Sequence, residues 1–342
     1  MMNELNKREE NILKAIIGEF ISSASPVGSN TLKKRRNIKF SPATIRHVMN
    51  DLEETGYLSH PHTSAGRVPT SKGYRFYVDL LDPGKELSVR DQEEISDSLR
   101  PYAIDIESLL STASKLLGEF TSDLGIAIAP LILEGELTRI NLFSVSSQTV
   151  MLVLQLNEGF AKTIVLEIRS SIPQEALDVL STKLNEKLSG LTLRDIRNNI
   201  SARCGDLSNE SSGIVRLLID SADRVFDFSE NEKITFSGSA NIMAKPEFAD
   251  PKQMKNLLSV IENEKNLIKR IQESTTADGV NVIIGDELDD PEMSELSFVT
   301  SPYNFGNQAG IIAVVGPLRM QYAKVMSIVV HTAKTLSRTL SN

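Results

Sequence analysis

One cysteine in 342 residues, Cys204, leaves no partner for an internal disulfide and no thiol set for a cysteine-built metal site. A buried, unreactive thiol is the role expected of it. The opening MMNELNKREEN lacks the apolar stretch of a secretion signal, and no run approaches the roughly 18 apolar residues of a membrane span. The chain is therefore expected to be soluble and cytoplasmic, with no membrane partner. Neither a G-x-x-x-x-G-K-[ST] phosphate cradle nor a G-x-S-x-G nucleophile turn occurs. His60 and His62 flank Pro61 with no third ligand near, so no metal is expected. The acids of GDELDDPEMSE at 285–295 do not alternate as a calcium loop requires, and a solvated surface loop is expected there. No catalytic residue or cofactor emerges, and the chain does not read as an enzyme.

Positive charge is in short supply overall, with 37 Lys and Arg against 45 acids for a net −8, but it is concentrated. Residues 26–78 hold nine Lys and Arg against three acids, a net of +6 that leaves −14 on the rest. A basic module on an acidic body is the electrostatic footprint of a DNA-binding regulator.

Within that module, SPATIRHVMNDLEETGYL at 41–58 predicts a helix with both ends marked. Ser41 can cap the free N–H groups, Pro42 suits the first helical position, and Gly56 suits the left-handed residue that closes a helix. Ile45, Val48, Met49 and Leu52 recur at helical spacing and face a core, leaving Ala43, Arg46, His47 and Asn50 on the other side. Asp51, Glu53 and Glu54 crowd the second half, where they would repel phosphates, so the first half is the end that enters a groove. Thr44 and Ser41 can reach phosphates from the helix start. Arg46 can face a guanine edge or a phosphate. Lys33 and Lys34, with Arg35 and Arg36, are expected to contact the DNA backbone. In HTSAGR at 62–67, Gly66 is expected to make a tight turn and Arg67 to stand at its tip, reaching phosphates or the minor groove. Tyr74, Phe76 and Tyr77 are expected to pack under this hairpin.

The wider pattern is α+β. Helices are predicted over 7–24, 29–36 and the 41–58 segment, then a hairpin, the order of a winged helix-turn-helix. A charged linker covers 81–104 and a helix 106–124. Strands follow at 138–146, 149–156 and 161–168 as a meander. Residues 173–228 are helical, with Leu177, Leu180, Leu184 and Leu188 in one stripe: a local core, or a self-association surface of an inserted block. A helix at 251–273, strands at 280–285, 295–301 and 309–316 and a last helix at 319–340 complete the chain.

SPATIR at 41–46, DLEETGYL at 51–58, HTSAGRVPTSKGYRFYVD at 62–79, SPVGSNTL at 25–32 and FVTSPYNFGNQAGIIAVVGPLRMQYAKV at 298–325 together resemble the bacterial heat-inducible transcription repressor HrcA family over nearly the whole length. The resemblance implies a winged-helix domain (1–80), a GAF-like domain (105–170 and 230–342) and an inserted dimerisation domain (171–229); the helical stripe in that insertion makes Leu177, Leu180, Leu184 and Leu188 the expected dimer contact. It further implies a homodimer on double-stranded operator DNA, the inverted repeat CIRCE before chaperone genes, and repression supported by the GroEL chaperonin. His47 and Val48 depart from the Asn and Glu common in the family. An alternative reading gates the DNA module by a small molecule held in the GAF-like domain; a polar pocket between sheet and helices would favour it, and packing by Phe298, Ile312 and Val314 would not.

Overall fold

The computed structural model describes residues 5–36, 38–61, 66–102, 106–130, 135–157, 161–168, 171–208, 213–226, 234–277, 279–306 and 308–341. Along the chain run α1 (Lys7–Ser23), α2 (Ser29–Arg35), α3 (Pro42–Glu54), β1 (Leu58–Ser59), β2 (Val68–Pro69), α4 (Ser71–Val78), α5 (Val89–Leu99) and α6 (Ile106–Thr121). Next come β3 (Leu124–Ile128), β4 (Leu137–Ser146), β5 (Thr149–Leu156), β6 (Ala161–Glu167), α7 (Gln174–Leu188), α8 (Leu193–Cys204), α9 (Ile214–Asp220) and α10 (Ala222–Val225). The remainder holds β7 (Ile234–Ser237), α11 (Ser239–Met243), α12 (Pro251–Glu262), α13 (Glu264–Glu273), β8 (Asn281–Ile284), β9 (Leu296–Phe305), β10 (Gln308–Pro317) and α14 (Tyr322–Leu340). The architecture is α+β with antiparallel sheets.

The chain divides into two units, residues 1–128, 234–303 and 311–342 in one and 129–233 with 304–310 in the other. In the first, α1 to α3 pack around Ile12, Leu13, Ile16, Ile17, Leu32, Ile45 and Leu52, all fully buried, and β1 pairs with β2 beside them. The same unit holds a five-stranded sheet of order β7-β3-β10-β9-β8. Leu257, Val260, Leu267 and Ile271 of α12 and α13 share one core with Ile126, Phe298, Ala313 and Val315 of the sheet. The expected helix at 106–124 stops at Thr121, because Ser122 turns to φ +57° and β3 begins at Leu124, a strand the periodicity conceals. The expected linker is likewise not a free tether. Ile95 and Leu99 of α5 are fully buried, and α5 packs on α6 and α14.

The second unit corrects the expected boundary at 170/171. The meander β4-β5-β6 is a separate three-stranded sheet and shares a core with α7 to α10, not with the five-stranded sheet. Leu142, Leu152 and Leu154 meet the leucines of α7 inside it. Edge strands leave backbone groups unpaired; here α7 covers the edge of β4 with polar side chains. Asn185 Oδ1 accepts from the Ile140 N–H at 2.7 Å, and its Nδ2 donates to the Ile140 carbonyl at 2.8 Å. Ser181 and Gln174 do the same at Leu142 and Ser144. Leu177, Leu180, Leu184 and Leu188, expected as a self-association stripe, are all buried in this core, so the chain's own sheet covers them. Cys204 is buried there too, and burial pushes its thiol pKa up, which keeps it protonated.

Candidate nucleic-acid interface

The start of α3 is built as its residues require. Ser41 is the N-cap, its Oγ accepting from the Thr44 N–H at 3.1 Å and lying 2.8 Å from the Thr44 hydroxyl, with Pro42 next. At the other end Gly56 sits at φ +79°, its N–H bonds the Glu53 carbonyl, and the Tyr57 N–H bonds that of Leu52. These two bonds close the helix as a Schellman motif. Ile45, Val48, Met49 and Leu52 are buried, so helical geometry turns Ala43, Arg46, His47 and Asn50 outward, and all four are exposed. Thr44 is half-buried. His47 Nε2 lies 3.8 Å from Asp51 Oδ2, one turn on.

Lys33 and Lys34 are exposed on α2, and Lys33 reaches the Ile38 carbonyl at 3.3 Å. Arg35 and Arg36, expected to contact the DNA backbone, are exposed but also have partners within the molecule. Both bind the buried Glu19 carboxylate, at 2.9 and 3.1 Å, and Arg36 also donates to the Gly18 carbonyl and Ser22 Oγ. They fasten α2 to α1.

The β1–β2 ribbon pairs Leu58 with Pro69 and Ser59 with Val68. Before β2, Arg67 exchanges two backbone hydrogen bonds with Val27, at 2.9 and 3.0 Å, which ties the ribbon to the turn between α1 and α2. Gly66 serves that approach, not a tight turn: a Cβ there would lie 2.7 Å from the Pro26 carbonyl carbon. Arg67 is also not a free fingertip. Its side chain is only 16% exposed and folds back on α3, forming an ion pair with Glu53 Oε2 at 2.8 Å and donating to Asn50 Oδ1 at 3.1 Å and His60 Nδ1 at 2.6 Å. Residues 62–65, including His62, lie outside the described residues. Tyr74 is buried, and Phe76 meets Tyr57 edge-on at 5.8 Å, so these rings pack rather than await bases.

The acidic loop has a structural use that sequence reading missed. Glu287 accepts from Arg75 Nε at 2.7 Å, Arg75 Nη2 reaches the Val282 carbonyl, and Ser71 donates to Asp286 Oδ2 at 3.0 Å. Asp290 faces Arg270 and Glu292 takes a bond from Ser259. This clasp holds α4 against β8. No side-chain periodicity signals it, since the partners are more than 200 residues apart. Elsewhere in the same unit, a cleft of about 250 Å³ is lined by Thr121, Ser122, Asp123, Lys245, Arg319 and Lys324. Its charges are largely paired: Lys245 binds Asp123, and Arg319 binds Glu247 and the Ile21 carbonyl. Among the described residues no cluster of three His, Cys, Asp or Glu side chains could hold a metal, and no helix is long and apolar enough to cross a membrane.

Residues 107–326 match the family model described as HrcA protein C terminal domain. The chain is 36% identical to a heat-inducible transcription repressor HrcA of Chlorobium phaeobacteroides, with 100% of both proteins covered. It is 35% identical to that of Prosthecochloris aestuarii over 99% of this chain and 98% of the relative, and 31% to that of Halalkalibacterium halodurans over the same shares. A crystal structure of a hypothetical protein at 2.2 Å resolution is alike in fold, with a TM-score of 0.65 and 24% identity over 100% of this chain and 99% of that one. The named relatives are repressors rather than enzymes. The chain belongs to the HrcA family of heat-inducible transcription repressors.

Proposed function

We propose that the chain represses by seating the leading half of α3 in the major groove of an operator. In this reading α1 to α3 with the ribbon form a winged helix-turn-helix, and the five-stranded sheet with its helices is a GAF-like domain. The observation that carries it is the division of labour on α3: the inward face is wholly buried, while Ala43, Arg46, His47 and Asn50 stand outward beside a phosphate-ready N-terminus. A bidentate Arg46 contact with guanine would add roughly 1–3 kcal/mol of discrimination. Lys33, Lys34, Ser41 and Thr44 hold phosphates, and Arg67 supports the assembly from behind.

A homodimer on an inverted repeat of the CIRCE kind completes the reading, because two-fold DNA sites match two-fold proteins. With the α7 leucines buried, the surface suited to a second copy is the outward face of β4-β5-β6. There Phe143, Met151 and Val165 lie in one cross-strand row, and Phe143 and Val165 are 43% and 64% exposed. Support from the GroEL chaperonin enters through the family resemblance. Packing weighs against the small-molecule alternative, since Phe298, Ile312 and Val314 are fully buried. A gel-shift titration on promoter DNA tests the proposal. Arg46→Ala should abolish preference for operator over scrambled DNA, while sedimentation shows an intact dimer; unchanged preference refutes it.

A further inference from the structure

Arg67 faces α3 rather than solvent, and the chemistry of its partners fixes how they are oriented. A guanidinium carries only donors, so the atom of Asn50 that meets Arg67 Nη2 at 3.1 Å must be the amide oxygen. The Asn50 amide nitrogen therefore points away from Arg67. Among the described residues, none accepts from it. The same logic makes His60 Nδ1 an acceptor and places the His60 proton on Nε2. Glu53 Oε2, at 2.8 Å from the same Nη2, anchors the fork, and the paired backbone bonds to Val27 hold its root. Swinging Arg67 out to a phosphate would leave the Glu53 carboxylate unpaired in front of DNA.

Asn50 lies one turn beyond Arg46 on the outward face, so the helix presents two consecutive groups that donate. An asparagine that reads adenine must accept from N6 with its oxygen while donating to N7. Here Arg67 takes one of the two lone pairs of Oδ1 and turns that oxygen toward itself, which leaves the NH₂ as the outward group, and flipping the amide would turn that NH₂ against the guanidinium. We infer that Arg67 is a positioning residue: it holds Asn50 with its NH₂ outward, which favours a base edge offering acceptors, guanine N7 and O6, over adenine, whose N6 donor would face that NH₂. This rests on the reading in which α3 enters the major groove. It reassigns Arg67 from a DNA contact to the orienter of one.

The experiment uses the full-length protein and operator DNA in fluorescence anisotropy, across single base-pair substitutions and a range of salt. The variants are wild type, Asn50→Ala, Arg67→Gln, Arg67→Lys and the Asn50→Ala/Arg67→Gln pair. Asn50→Ala identifies the base pair that Asn50 reads, and wild type should prefer guanine there and lose affinity when 7-deazaguanine replaces it. Arg67→Gln should weaken discrimination at that same pair by about tenfold, the size of one lost bidentate preference, and the double variant should be no worse there. The slope of log affinity against log salt should stay unchanged, because no phosphate contact is removed. Arg67→Lys should also lose selectivity, since an ammonium cannot span Glu53, Asn50 and His60 in a planar fork. A slope reduced by about one, with Arg67→Lys behaving as wild type, overturns the inference in favour of a phosphate contact. So does adenine preference at that pair, undiminished discrimination in Arg67→Gln, or an Asn50→Ala variant that keeps full selectivity. A wild type with no operator preference fails the groove reading itself, a separate result. Thermal melting of each variant identifies any loss of folding, and Arg67→Lys retains the charge for Glu53 should Arg67→Gln unfold.

Discussion

Leu184→Ala separates a core role from an interface role for the α7 stripe. Leu184 is fully buried against β4 and β5, among Leu142, Leu152, Leu177 and Leu188. Truncating such a leucine removes its transfer free energy and leaves a cavity, at a cost of about 2–5 kcal/mol. Collapse is resisted here, because Ser181 and Asn185 pin α7 to the backbone of β4 on either side of the gap. We therefore take about 3 kcal/mol. In a unit of roughly a hundred residues that lowers the melting midpoint by on the order of 10 °C or more. Scanning calorimetry should show this fall in the transition of the second unit, and sedimentation of the still-folded variant should show wild-type association. Phe143→Ser should do the reverse, weakening association and costing less than about 1 kcal/mol of stability at its exposed site. A Leu184→Ala protein that melts as wild type but sediments as a monomer would refute the packing argument.

Three further outcomes follow from particular contacts. Gly66→Ala drives a methyl into the Pro26 backbone and should cost about 1–3 kcal/mol; faster hydrogen exchange at the Arg67 and Val27 amides, with operator affinity lost, is the expected record. His331 donates to the Gln92 carbonyl at 3.0 Å, and burial holds its pKa below the usual 6.5, with Arg338 and Lys334 adding to the effect. Its neutral form is thus favoured in the fold, so its contribution is full above pH 6.5 and declines as pH falls from there towards the lowered native value. Melting midpoints measured between pH 7.5 and about 5 should drop less in His331→Gln than in wild type. Arg75→Met opens the clasp on Glu287 and Val282; with the pair about one-third exposed, the loss should be about 1 kcal/mol, read as a lower midpoint for the first unit alone.

Much of the fold is written in local signals, and the departures share a cause. The helix α3 is legible because its cap, proline, apolar period and closing glycine all agree, and β5 falls at 149–156 as alternation predicts. By contrast β3, LGIAI, is buried at all five positions, so it has no alternation and reads as the tail of α6. The partition of β3 to β10 between two sheets depends on pairing, which strand spacing does not encode. A leucine stripe says that a helix face is covered, not by what; α7 is covered by β4. Among the candidate contacts, Ala43, Arg46, His47 and Asn50 follow from helical periodicity alone. The positions of Arg35, Arg36 and Arg67 do not, because each turns to a carboxylate brought near only by folding: Glu19 for the first two, Glu53 for the third.

The most direct measurement of the central claim exploits the single buried cysteine. With Cys204 inaccessible, Ala43→Cys provides one exposed thiol at the leading turn of α3, to which an iron chelate that cleaves nearby DNA can be attached. On operator DNA the account predicts cleavage centred in the major groove of each half-site, and none of comparable strength from the same chelate on Glu54→Cys at the trailing end. Strong cleavage from position 54 with none from position 43, or scattered cleavage without a centre from either, contradicts it.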